Sequence, residues 1–155
     1  MKKILSLTIV LFTLLSCSSD DGDNSITPET FIKFSINGTN YEFTDIITAE
    51  SGMITINGNN GAGLTNPGDT QLELWIPTVL ENGTFAVNDG FDSEYLVSFT
   101  SDALNFDFDF AESGSITLTQ TTGDYIKGTF TATVTNADNT TITINNGEFK
   151  AYSME

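Results

Sequence analysis

From residue 31 onward, apolar and polar side chains alternate at every second position, the period of a strand with one buried face. The stretch FIKFSINGTNYEF, residues 31–43, shows it first. Phe34 and Ile36 alternate, Asn37-Gly38 supplies a two-residue turn, and Tyr41 and Phe43 alternate on the way back. Asn-Gly accommodates the positive φ angles of a type I′ turn, so a hairpin is predicted. Further strands are predicted over residues 46–50, 53–57, 71–76, 84–88, 93–100, 104–110, 115–121, 125–135 and 140–152. Turn clusters separate them: NGNNGAG, NPGD, ENGT, NDGFDS, ESGS, TTGD and NADN. No helical period occurs in this region, and the abundant threonine suits pleated strands. The expected fold is all-β: about ten antiparallel strands in a single sandwich or a closed or partly open barrel.

The alternation also assigns faces. In LNFDFDF, Leu104, Phe106, Phe108 and Phe110 are expected inside, with Asn105, Asp107 and Asp109 outside. In GTFTATVT, Phe130, Ala132 and Val134 point in and the threonines out. The inward positions together supply roughly two dozen apolar side chains, enough for one core. In ITINNGEFKAY the phase slips between Ile144 and Phe149, which predicts a β-bulge near Asn146-Gly147, or else a turn.

Charge narrows the function. The 155 residues carry 21 acids against five lysines, with no arginine and no histidine, for a net charge of −16. Such a surface repels phosphate backbones, which excludes nucleic acid as a partner, and it attracts cations. Without histidine there is no Ser-His-Asp or Cys-His machinery and no imidazole metal site. Without arginine there is no bidentate fork for carboxylate or phosphate. Carboxylates, hydroxyls, amides and a few lysines are left to carry chemistry.

The N-terminal segment has its own logic. Lys2 and Lys3 precede a 12-residue apolar run, residues 4–15, too short for a membrane span of about 20 residues but suited to a secretory signal. Leu14-Leu15-Ser16-Cys17 follows and contains the single cysteine. It resembles the lipobox of bacterial lipoproteins, which implies a signal peptide over 1–16, cleavage before Cys17 and diacylglycerol on its sulfur. The alternative is an ordinary signal peptide with a stray cysteine. One acyl chain holds weakly, at about 0.8 kcal/mol per buried methylene, so two or more make a lasting anchor. Cleavage would leave three lysines against 21 acids, a net of −18. With no second thiol there is no disulfide framework.

Ser18-Ser19-Asp20-Asp21-Gly22-Asp23 resembles the acidic export signal of Bacteroidetes surface lipoproteins. That resemblance implies the outer face of the outer membrane; a solvated acidic linker is the alternative. Residues 17–30 then form the lipidated cysteine and a flexible tether, and 31–155 the β domain. The eleven residues 18–28 would reach roughly 15–20 Å. The C-terminal half, SGSITLTQTTGDYIKGTFTATVTNADNTTITINNGEF, resembles the end of a family of small Bacteroidetes lipoproteins that has no assigned activity.

Three sets of residues invite a binding role. In QLELWIP, Leu72, Leu74 and Ile76 alternate, which places Gln71, Glu73 and Trp75 on the other face. An indole among amides and carboxylates is a platform for a sugar ring; otherwise Trp75 packs beneath a loop or strand. Asp89, Asp92 and Glu94 gather hard oxygen ligands in NDGFDSE, suited to Ca2+, though the spacing is not that of an EF-hand and a solvated acidic turn is the favoured reading. Paired carboxylates can serve as acid and base, as across the cleft of a glycosidase, but Asp107 and Asp109 share one strand, about 7 Å apart at the backbone, and the solvated face of a one-sided sheet is the favoured reading. The triplets at Asn37, Asn82 and Asn139 match a glycosylation pattern but read more simply as turns.

These features lead to an expectation: a lipid-anchored, non-catalytic cell-surface protein that binds an extracellular ligand, with carbohydrate favoured. The alternatives are a structural or protein-partner component of a surface complex, and a lipocalin-like carrier of an apolar ligand.

Overall fold

The computed structural model describes residues 29–90 and 93–154. The segments expected to be signal peptide and acidic tether, with Cys17 between them, and Asp92 lie outside the described residues.

Ten strands follow one another: β1 (Phe31–Ile36), β2 (Thr39–Phe43), β3 (Ile46–Glu50), β4 (Met53–Asn59), β5 (Thr70–Pro77), β6 (Gly83–Asn88), β7 (Leu96–Ser101), β8 (Phe106–Gln120), β9 (Tyr125–Thr135) and β10 (Thr141–Tyr152). A short 3-10 turn, Asp102–Leu104, precedes β8. All pairings are antiparallel, in the order β2-β1-β10-β9-β8-β7-β5-β4-β3, with β6 paired to β8. This path is a sheet nearly closed into a barrel. Its end strands, β2 and β3, are consecutive in the chain but do not pair with each other, so the seam between them is unsealed.

Local chemistry explains the elements. The β1–β2 hairpin turns at Asn37 and Gly38, both at positive φ (50° and 81°), with Ile36 opposite Thr39, as the Asn-Gly signal predicts. In β10 the register slips between Ile144 and Gly147, and Asn146 sits at φ 53°. That is the bulge read from the phase slip. It returns Phe149 to the interior, where it is 1% exposed.

Two expectations are corrected. ESGS is not a turn. β8 runs unbroken through it for 15 residues. Gly114 is there because β9 comes close: a Cβ on it would lie 2.1 Å from the Thr131 carbonyl oxygen. A glycine in a strand interior here marks backbone approach and not a reversal.

The second correction concerns LNFDFDF. Leu104 and Phe106 do pack inward, but Phe108 is 47% exposed and Phe110 turns to the outer face. The cause is a bulge. Between the Ser101–Phe106 and Phe99–Asp109 pairs, β8 spends one residue more than β7, and Phe108 takes φ 55°. One extra residue inverts the side chains that follow, Phe110 outward and Ala111 inward, until the next shift restores the phase by Ile116. A further register shift between Ala111 and Ser113 accompanies the handover of one edge of β8, from β7 to β6, while β9 holds the other edge.

The interior is filled with rings and branched chains. Phe34 lies edge-on to Phe43 at 5.5 Å and to Phe99 at 6.3 Å, and stacks on Tyr41 at 4.9 Å. Ile32, Ile56, Leu72, Leu74, Ile76, Val97, Ile116 and Ile126 are fully buried around them. Side chains also close the seam that hydrogen bonds leave open. Gly58 on β4 stands so near Phe43, Ile32 and Ile46 that a Cβ there would lie 2.9–3.1 Å from them.

Candidate functional site

Because the interior is packed, the outer faces are where a ligand can be met. The outer face of β4, β5, β7 and β8 gathers most of the chemistry. β5 alternates strictly: Leu72, Leu74 and Ile76 are buried inside, and Gln71, Glu73 and Trp75 are half-buried on the other side. The register then sets their neighbours. Trp75 faces Thr55 on β4 and Leu96 on β7; Glu73 faces Asn57 and Ser98; Gln71 faces Asn59 and Thr100. Ser98 in turn is opposite Phe110 on β8.

Glu73 is held from both sides. Asn57 Nδ2 donates to one carboxylate oxygen at 2.8 Å, and the Ser98 hydroxyl lies 3.4 Å from the other. Both donors are buried, at 3% and 1% exposure. The Asn59 amide donates to Asn57 Oδ1 at 3.0 Å, which leaves the Asn57 amide directed at Glu73. A carboxylate pinned by buried donors keeps a fixed orientation and still has lone pairs to offer.

Beside it lies an aromatic strip. Trp75 meets Phe110 edge-on at 6.4 Å between centroids, and Phe110 meets Phe108 edge-on at 5.2 Å. Leu96 shares this outer face and is only 2% exposed, so the strip is packed and continuous. The Trp75 Nε1–H is buried and has no hydrogen-bond partner among the described residues. The indole therefore offers apolar ring surface outward and no donor. The backbone at Phe108, a non-glycine at φ 55° with its ring toward solvent, is a left-handed conformation that costs roughly 1–2 kcal/mol.

The sequence placed Gln71, Glu73 and Trp75 on one outer face, and they are found there. It missed Phe108 and Phe110, which simple alternation sends inward. It also missed Asn57 and Ser98, which only the strand register brings to Glu73. Asp89 and Glu94 are exposed in the connection between β6 and β7, on either side of Asp92, which is outside the described residues. Among the described residues, no group of three or more carboxylate, cysteine or histidine side chains is arranged to hold a metal ion. Asp107 and Asp109 form no cleft-spanning pair; the Asp109 carboxylate accepts the Asp107 backbone N–H at 3.0 Å and caps the bulge.

No protein-family model, curated protein or solved structure matches the chain.

Proposed function

We propose that the chain is a non-catalytic binding protein, held at the cell surface by lipid on Cys17, that takes a carbohydrate on the outer face of β5, β7 and β8. One observation carries the reading: a continuous strip of rings, Trp75, Phe110 and Phe108, runs beside a carboxylate whose orientation Asn57 and Ser98 fix. Sugars present C–H faces that stack on rings and hydroxyls that donate to carboxylates, so both halves of the chemistry are supplied. The strained backbone under an exposed Phe108 ring supports the same assignment, because such conformations gather at ligand sites. The filled interior favours this outer face over a cavity for an apolar ligand.

Glycan-array screening with the full chain, followed by titration of tryptophan fluorescence, tests the proposal. Binding that is lost in Trp75→Ala and weakened in Phe108→Ala supports it. An array with no binder, or binding that survives Trp75→Ala, refutes it. The address is tested separately: Cys17→Ser should release the protein from the membrane fraction, and retention there would overturn the lipid anchor.

A further inference from the structure

A second cluster sits where β9 begins and β10 ends. Tyr125 and Tyr152 are direct cross-strand partners, with rings stacked at 5.4 Å and 26°. Glu29, just before β1, accepts a hydrogen bond from the Tyr125 hydroxyl at 2.6 Å, and the hydroxyls of Tyr125 and Tyr152 together hold its carboxyl below the ordinary value. Lys150 Nζ lies 3.9 Å from the centre of the Tyr125 ring. A cleft of about 470 Å³ opens here, lined by Glu29, Gly123, Asp124, Tyr125, Tyr152 and Ser153.

The lining joins two carboxylates to two aromatic rings and contains no cation. The negative face of a phenol ring attracts ammonium groups, and a flanking carboxylate adds Coulomb attraction. The interaction already occurs beside this cleft, since the Lys150 ammonium rests on the Tyr125 ring. Tyr152 is 44% exposed and presents ring surface that no cation among the described residues covers. The large negative net charge raises the local concentration of cations around the whole molecule. The cleft volume falls within the range of about 300–1,000 Å³ common for small-ligand sites.

We propose that this cleft binds an organic ammonium group, with the Tyr152 ring as platform and Glu29 and Asp124 as counter-charges. The site stands apart from the Trp75 face and does not depend on the carbohydrate reading. The same chemistry is offered by a free amine and by the head group of a zwitterionic lipid.

The test is a titration of the full chain with choline, followed by the ring proton shifts of Tyr152 in nuclear magnetic resonance spectra. Saturable binding with a Kd on the order of 1–10 mM is expected, weakening as salt is raised. The uncharged carbon isostere of choline, equal in shape, separates charge from apolar contact and should not bind. Tyr152→Leu should weaken choline binding about tenfold. Asp124→Asn, an exposed change that leaves the rings in place, should weaken it about threefold. Phosphatidylcholine vesicles form the second arm. Co-sedimentation at head-group concentrations well below the choline Kd assigns the lipid as source; choline binding without co-sedimentation assigns a free amine. The proposal is overturned if choline does not bind, if the isostere binds equally well, or if neither substitution weakens binding.

Discussion

Gly114→Ala isolates the close approach that lets β8 continue where ESGS suggests a reversal. Gly114 lies opposite Ala132 on β9. A Cβ there would meet the Thr131 carbonyl oxygen at 2.1 Å and the Ala132 Cα at 2.9 Å, and both are backbone atoms that cannot rotate away. A carbon sits no nearer than about 3.3 Å to a carbonyl oxygen, so the strands must part locally by about 1 Å. That stretches two ladder hydrogen bonds beyond useful length, at about 0.5–1.5 kcal/mol each. The φ of +153° adds backbone strain of about 1–3 kcal/mol for an L residue. A total near 4 kcal/mol is expected. With a urea m-value of about 2 kcal/mol/M, the unfolding midpoint should fall by about 2 M. Gly123→Ala is the matched control: its φ is also positive, +82°, but nothing among the described residues lies within 4 Å of a Cβ there. It should cost about 1–2 kcal/mol, from strain alone. Equal midpoint shifts for the two variants would show that contact with β9 is not why position 114 is glycine.

Two further outcomes follow from polar contacts. Asn136, 7% exposed in the β9–β10 turn, donates to the Asn105 carbonyl at 2.7 Å and accepts the N–H groups of Asp138 and Thr140 at 3.0 and 2.8 Å. Asn136→Ala orphans all three and should lower the unfolding free energy by about 2–3 kcal/mol in urea titrations, whereas a loss under 1 kcal/mol would mean that water replaces the side chain. The Tyr125 and Tyr152 hydroxyls hold the Glu29 carboxyl below its ordinary value of 4.5. The stability it contributes is therefore complete above pH 4.5 and disappears as pH falls through the lower folded value. Glu29→Gln should flatten the acid limb of the stability profile, and an unchanged limb would refute this. Tyr125, pushed up to about 12 chiefly by its hydrogen bond to Glu29, runs the other way. Its contribution is full below pH 10 and is lost toward 12, visible as delayed tyrosinate absorbance that returns to normal in Glu29→Gln.

How much of this was legible depends on the range over which each signal acts. The β1–β2 hairpin and the β10 bulge were readable because Asn-Gly and the slip from Ile144 to Phe149 are local signals. The inversion in β8 was not, because its bulge falls on Phe108, a residue type with no preference for positive φ. Gly114 misled for a related reason: glycine permits turns and also permits contact, and only the neighbouring strand decides which. The Glu73 cradle depends on register across three strands. The Glu29–Tyr125 contact joins positions 96 residues apart. A trace was present, since Tyr125 and Tyr152 bound a hairpin whose register sets them opposite each other.

The first strand of this barrel is paired to its last: Phe31 sits opposite Lys150. An emerging chain can therefore form β1–β2 as a lone hairpin, but β1 finds its other neighbour only when β10 exists. A two-stranded hairpin is marginal by itself in water, and joining the chain ends requires closing the longest loop in the molecule. Completion of the sheet is thus a late, all-at-once event. Until β10 exists, the β1–β2 hairpin has no strand to tie it to β9 and the rest of the sheet.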